Sequence, residues 1–345
     1  HGTINGATWA LSGCMDEIAG NYNPDANVDD GSCQYSGNYA LYFDGDGDYV
    51  DLDHQFVLSD DFSIEMEFLP SSNGYYGYFC DSGASLFMQG GGSGTIYPDI
   101  GIGISDCQSD FPVIGVELSD GSSGAHRYYS ETGVRLDEVN HILLTFNQGN
   151  LIVYLNNEIV INVSAPLNTL HNNTNSPSQA TLSARNVSGN IGSFITGRYF
   201  RFAIYDSALS SENASYIFDK NYDDINSNYN VLYEFNPGAG DLLIDAAGSI
   251  NGTIHGATWI ENIEGCTDEF ADNYNPDANL DNGSCTYPNN GTYSLLFDGD
   301  ADWVEIPNSE SLQSSNLSVV IDFSTYQDPS NASQCLLAKG DDQGS

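Results

Sequence analysis

GCMDEIAGNYNPDANVDDGSCQY at residues 13–35 returns as GCTDEFADNYNPDANLDNGSCTY at residues 265–287. Each copy follows a GATW segment (6–9 and 256–259) and precedes FDGD (43–46 and 297–300). The chain therefore reads as a window on a tandem array, and a repeat decides the architecture before any local pattern does. Cys14 and Cys266 are 252 residues apart, which leaves room for one full unit and part of a second. Residues 1–9 are expected to be the closing strand of a preceding domain, and 10–37 the first cysteine module. Residues 38–259 are expected to form a complete domain, 260–290 the second module and 291–345 the first part of the next domain.

The repeat also orders the seven cysteines. Cys14–Cys33 and Cys266–Cys285 bracket the two motifs. Cys80 lies 18 residues after Phe62, and Cys335 lies 18 residues after Leu317, so these two are counterparts. Cys107 is then the natural partner of Cys80, and Cys335 is unpaired in this window. Paired cysteines imply an oxidising compartment, hence an extracellular or cell-surface protein. Nine Asn-x-Ser/Thr sequons, at Asn162, Asn172, Asn186, Asn213, Asn251, Asn282, Asn290, Asn316 and Asn331, would be glycan acceptors there.

Between the cysteine modules the pattern is that of strands. YALYFDGDGDYVDL (39–52), FSIEMEFL (62–69), VIGVEL (113–118), HILLTF (141–146), LIVYLNNEIVINVS (151–164) and RYFRFAIYD (198–206) run apolar or alternate. QGN at 148–150 and NNE at 156–158 are tight-turn candidates. One short helix is expected near 210–219, capped by Ser210 or Ser211, with Ala214, Ile217 and Phe218 on one face. Many short strands and almost no helix predict an all-β, two-sheet antiparallel sandwich.

Forty-eight carboxylates face seven Lys and Arg, a net charge of −41. Such a surface repels nucleic acid and anionic lipid and attracts divalent cations. No apolar run reaches the ~18 residues of a membrane span.

The order of these segments resembles the laminin-G-like, concanavalin-like jelly roll of large bacterial surface proteins. The resemblance rests on YALYFDGDGDYVDL, DFSIEMEFLP, HILLTFNQGNLIVYLNNEIV, RYFRFAIYDSALSSENASYIF and DAAGSINGTIHGATW, and covers nearly all of 38–259. The cysteine module resembles an acidic spacer repeat of secreted bacterial proteins. Together these imply a jelly roll joined by disulfide-stapled linkers.

Asp25, Asn27 and Asp29 sit at alternate positions of DANVDDGS, as do Asp277, Asn279 and Asp281 in the second copy. Alternate oxygen ligands are how calcium loops gather six to eight donors. Asp16 and Glu17, with Asp268 and Glu269, could close the shell. The competing reading is an Asx-turn loop held by its disulfide, with the acids solvated. Asp44, Asp46 and Asp48 alternate in FDGDGDYV and form a weaker candidate, against a role in shaping the hairpin.

Catalysis finds little support. Glu65 and Glu67 are the one tempting pair, but the Glu-x-Asp-x-x-Glu strand of catalytic relatives is missing, and Glu65 aligns with Val320 in the partial repeat. The reading is of a non-enzyme. Tyr75, Tyr76, Tyr78, Tyr128 and Tyr129 lie in Gly/Ser-rich stretches where ring faces could stack on sugars, or could simply occupy strand surfaces. The first functional expectation is structural: a calcium-stiffened stalk, adhesin or filament built head-to-tail from neighbouring copies by strand completion. The alternative is a lectin-like adhesin that binds glycans through the sandwich.

Overall fold

The computed structural model describes residues 9–287, except 31, 36, 59, 75–83, 91–98, 106–111, 120–123, 168–169, 172–178, 188, 226–227 and 249. It also describes 295–297, 303–304, 306, 321, 323–324 and 336. The chain divides into His1–Ser294 and Leu295–Ser345. The described residues of the second unit carry no strand or helix, and Leu296, Trp303 and Phe323 among them are exposed. The expected opening of a further sandwich lies mostly outside the described residues.

The first unit contains two eight-stranded antiparallel sheets. In chain order the strands are β1 (Tyr39–Asp44), β2 (Tyr49–Asp51), β3 (Asp61–Pro70), β4 (Ala84–Gln89), β5 (Ile100–Ser105), β6 (Val113–Ser119), β7 (Ala125–Gly133), β8 (Asn140–Asn147) and β9 (Asn150–Leu155). There follow β10 (Glu158–Ser164), β11 (Thr181–Leu182), β12 (Arg185–Val187), β13 (Asn190–Gly192), β14 (Thr196–Tyr205), β15 (Tyr229–Tyr233), β16 (Leu242–Leu243), β17 (Gly252–His255) and β18 (Thr258–Glu261). The first sheet runs β10-β9-β8-β3-β14-β1-β18, with β15 also paired to β14. The second runs β16-β17-β2-β11-β4-β5-β6-β7. The closing GATW strand thus returns to pair with β1, joining the two ends of the domain.

Alternation sets which side chains meet between the sheets. Phe62, Ile64, Met66 and Phe68 of β3 face Ile100, Ile102 and Ile104 of β5 and Ile114, Val116 and Leu118 of β6 across one shared core. Phe87 and Phe202 meet at 5.1 Å between ring centres, and the buried Tyr199 hydroxyl donates across the core to the Leu86 carbonyl at 2.8 Å. The expected turns form: Gln148 and Gly149, then Asn156 and Asn157, take positive φ at both central positions, as type I′ hairpins require.

The expected helix is α1 (Ser211–Phe218), and its capping box joins Ser210 to Asn213. It covers the outer face of the first sheet, burying Ala214 and Ile217 beside Leu143, Tyr154, Ala203 and Tyr205. Both cysteine modules share one build. In each, two-residue strands pair in parallel, Ser12–Gly13 with Val28–Asp29 and Glu264–Gly265 with Leu280–Asp281. Cys14–Cys33 and Cys266–Cys285 are bonded. Cys80, Cys107 and Cys335 lie outside the described residues.

Candidate functional site

The modules use their polar side chains mainly to hold their own backbone. The Asn27 side chain accepts from the Leu11 N–H at 2.9 Å and donates to the Trp9 carbonyl at 2.8 Å. Asn279 repeats this with Ile263 and Glu261 at 3.1 and 2.8 Å. Asp16 accepts from the Ile18 N–H and, at 2.6 Å, from the Tyr35 hydroxyl. Asp268 does the same with Phe270 and Tyr287. Asn21 and Asn273 clamp the other end of each loop, a role that sequence reading missed. Asp25, Glu17, Asp29, Asp277, Asp281 and Glu269 are exposed. Among the described residues, no three His, Cys, Asp or Glu side chains gather as metal ligands do.

In FDGDGDYV the carboxylates shape the hairpin. Asp48 accepts from the Asp44 N–H at 2.9 Å, and Asp44 accepts from the Asp46 N–H at 2.7 Å. Gly45 and Gly47 supply the two positive φ angles of the turn. Asp48 is buried, and burial together with the neighbouring charges of Asp44 and Asp46 raises its carboxyl pKa.

Glu65 and Glu67 point to the outer face of the first sheet, where α1 and its following turn close over them. Glu65 pairs with Arg201 Nε at 3.0 Å and His141 Nε2 at 3.2 Å, and accepts from the Tyr205 hydroxyl at 2.6 Å. Arg201 also lies 3.8 Å over the Tyr222 ring. Burial pushes the Glu65 carboxyl up, but His141, Arg201 and Tyr205 hold it below its usual value. Glu67 is bound by Lys220 at 2.7 Å. Both carboxylates are engaged in a cross-strand ion network.

The outer face of the second sheet is built differently. Strand register sets Ser85, Gly103, Gly115 and Tyr129 in one row across β4, β5, β6 and β7. The next row holds Met88, Gly101, Glu117 and Arg127. The inward neighbours of these residues (Ile102, Ile104, Ile114, Val116) are core, so the two rows face outward. Gly101, Gly103 and Gly115 leave this stretch without side chains, and all three are buried. The β12–β13 hairpin flanks it, tied to β4 by the Ser85 N–H donating to the Ser193 carbonyl at 2.8 Å.

Glu117 is 1% exposed and meets Arg127 Nη2 at 3.4 Å. Its second oxygen, and the hydroxyl of fully buried Ser85, make no hydrogen bond. Burial raises the Glu117 pKa despite the opposing charges of Arg127 and Arg185. Tyr129 belongs to the same cluster: burial raises its phenol, Arg127 lowers it and Glu117 raises it. At the end of this face, directly before β5, the buried Asp99 meets His171 Nδ1 at 2.9 Å. Tyr128 instead packs on the core, and Tyr75, Tyr76 and Tyr78 lie outside the described residues.

Residues 44–215 match the family model of the concanavalin A-like lectin/glucanases superfamily. This stretch belongs to that superfamily. The concanavalin A-like sandwich is similar to a "putative carbohydrate binding protein" from Bacteroides ovatus, with 14% identity and a TM-score of 0.47. That match covers 70% of this chain and 65% of the other, so the chain spans just under two thirds of that protein's length. It is also similar to the CBM40 of a Ruminococcus gnavus IT-sialidase bound to α2,3-sialyllactose, at 16% identity, 52% and 95% coverage and a TM-score of 0.42. A third similar structure is a heptameric SAP-like pentraxin from Limulus polyphemus, at 11% identity, 63% and 96% coverage and a TM-score of 0.41. No curated protein sequence matches the chain.

Of the tyrosines singled out in the sequence, Tyr129 alone is placed in the described outward-facing cluster. Glu117 gave no sequence signal, since one Glu in VIGVELS reads as a solvent-facing strand position. The glycine alternation of IGIGIS and VIG was the available clue, because glycine in a strand often marks close approach of another molecule or backbone.

Proposed function

We propose that the sandwich is an extracellular glycan-binding domain whose ligand lies on the outer face of the second sheet, over Gly101, Gly103 and Gly115. The observation that carries this reading is Glu117: a buried carboxylate with one oxygen unsatisfied, in the cluster of Tyr129 and opposite Gly101, which has no side chain. Leaving such an acceptor unpaired costs about 1–3 kcal/mol. A sugar hydroxyl supplies the missing donor, and the Tyr129 ring offers an apolar face to the sugar's C–H side. The Arg127 guanidinium paired with Glu117 is 38% exposed, which puts this ion pair at the edge of the protein surface. The lectin part of the superfamily description accords with this reading.

The glycan reading displaces the filament reading as the leading one. The sandwich closes on its own chain through β1 and β18, so strand completion by a neighbouring copy is not needed for its fold. With both of its attractive carboxylates held in ion pairs, the Glu65–Glu67 pair is inferred to be non-catalytic. Two disulfides suit a secreted protein, and among the described residues no helix is long and apolar enough to cross a membrane. Calcium belongs to the proposal through the exposed carboxylates of the modules: Asp25 and Asp29, Asp277 and Asp281.

A glycan array tests the main reading. Wild type is expected to bind a subset of glycans, and Glu117→Ala and Tyr129→Ala to lose at least about tenfold in affinity while staying folded. Wild type at background on every glycan would overturn it.

A further inference from the structure

We propose that the β12–β13 hairpin is a flap, hinged at Ser183 and Ser193, that covers the Glu117 cluster and lifts to open it to solvent and ligand; its service to a ligand rests on the glycan-binding reading above. The hairpin is a side excursion from one point of the second sheet. At its first foot the Ser183 N–H donates to the Leu86 carbonyl at 3.1 Å, and at its second the Ser85 N–H donates to the Ser193 carbonyl at 2.8 Å. The two feet thus stand on consecutive residues of β4. Between them Arg185, Asn186 and Val187 pair with Gly192, Ile191 and Asn190 in a two-stranded sheet separate from both large ones.

Both feet are bent in the same uncommon way. Ser183 has φ 64° and Ser193 φ 63°, the left-handed region where Cβ crowds the following carbonyl. A serine held there is strained, and such strain persists only where the surrounding contacts enforce it; it gathers at clamps and switch segments. Hinges are a few residues at the ends of elements that absorb a change in φ and ψ. Ser183 and Ser193 are 10 positions apart in sequence and bonded to adjacent residues of one strand, so they form a single hinge line.

The closed position is opposed from beneath. The charge of Arg185 acts on Glu117, which lies on β6 with β5 between it and β4, so the first flap strand leans over the outer face. Gly103 and Gly115 on this face are buried, and glycine in a strand admits another backbone at close range. Against the Arg185 attraction stand two buried polar atoms of the same face, Glu117 Oε2 and Ser85 Oγ, that make no hydrogen bond with the flap down. Lifting gives both to water and relaxes both serines. A closed state that leaves such atoms unmet opens locally far more readily than the whole sandwich unfolds. A ligand hydroxyl that donates to Glu117 removes that penalty, which links binding to the position of the flap.

The test labels carboxyl groups of the whole chain with a water-soluble carbodiimide and glycine ethyl ester, at low conversion, and reads the sites by peptide mass spectrometry. Glu65 and Glu117 are 0% and 1% exposed, so Glu65 on the other sheet is the control for global unfolding. Each rate is divided by that of the same residue in the urea-unfolded chain. Glu117 is expected to label at least about tenfold faster than Glu65. Arg185→Ala removes the charge that holds the flap down. It is expected to quicken Glu117 labelling and hydrogen exchange of the hairpin amides together, by about threefold, with Glu65 and the β5 amides unchanged. Glu117 as protected as Glu65 in wild type overturns the flap. So does a folded Arg185→Ala variant in which Glu117 quickens without the hairpin amides, or in which neither moves, because something else then covers Glu117. The wild-type comparison decides should the variant fail to fold. A flap that opens as expected beside a blank glycan array overturns the glycan reading alone.

Discussion

At the residue scale, two of the buried glutamates on the outer faces of the sheets, Glu65 and Glu117, have opposite fates. Glu65 is satisfied by Arg201, His141 and Tyr205, and its pKa is lowered. Glu117 is half satisfied, and its pKa is raised. The first belongs to stability and the second to the proposed site. Removing Arg201 leaves Glu65 buried without its main charge partner, so Arg201→Ala is expected to cost about 3–5 kcal/mol in urea unfolding. A loss below about 1 kcal/mol would show that the network is not what pins α1 to the sheet. The pH dependence follows from the same sign. A carboxyl whose folded pKa is depressed contributes stability above its unfolded value, and that contribution is lost as pH falls through the folded value. Glu65→Gln should therefore flatten the acid limb of the stability curve below about pH 4.5, the ordinary value for Glu. Glu117 acts in reverse: its charging costs stability as pH rises through its raised value, so Glu117→Gln should gain stability near neutrality.

At the element scale, short signals proved readable where local chemistry decides the outcome. The α1 cap is one: Ser210 accepts from the Asn213 N–H, and Ser210→Ala should cost about 1 kcal/mol with the binding face untouched. The hairpin turns at Gln148–Gly149 and Asn156–Asn157 are another, because positive φ at both positions favours Gly and Asn. The disulfides Cys14–Cys33 and Cys266–Cys285 were legible from the repeated bracket. Each closes a loop of about 20 residues, so Cys14→Ser with Cys33→Ser should release roughly 3 kcal/mol from its module. Limited proteolysis should then cut within residues 13–35 and spare the sandwich; cutting that begins in the sandwich would contradict module independence. What was not legible depends on register. Ser85, Gly103, Gly115 and Tyr129 span 45 positions of sequence, and only the pairing of β4 through β7 makes them neighbours. Likewise DANVDD carries no sign that Asn27 bonds the backbone of Trp9 and Leu11, a contact that only the fold supplies.

At the scale of the whole molecule, charge dominates. Forty-eight carboxylates against seven Lys and Arg mean that folding gathers like charges, and the compact state is strained by its own field. Added salt screens that repulsion over a Debye length of about 8 Å at physiological ionic strength. Any salt should therefore raise the melting midpoint, and a calcium effect must be separated from screening. Comparing NaCl with CaCl₂ at equal ionic strength does this. Screening alone gives the same midpoint in both. Calcium held by the exposed Asp25 and Asp29, or Asp277 and Asp281, adds a further rise that grows with the logarithm of calcium concentration, as any ligand specific to the folded state does. EDTA should remove that excess and leave the NaCl rise in place. Equal midpoints in the two salts, unmoved by EDTA, would leave the modules as loops held by disulfide and Asx bonds alone. The glycan experiments stand apart from this result, because the proposed Glu117 site lies on the second sheet and not in the modules.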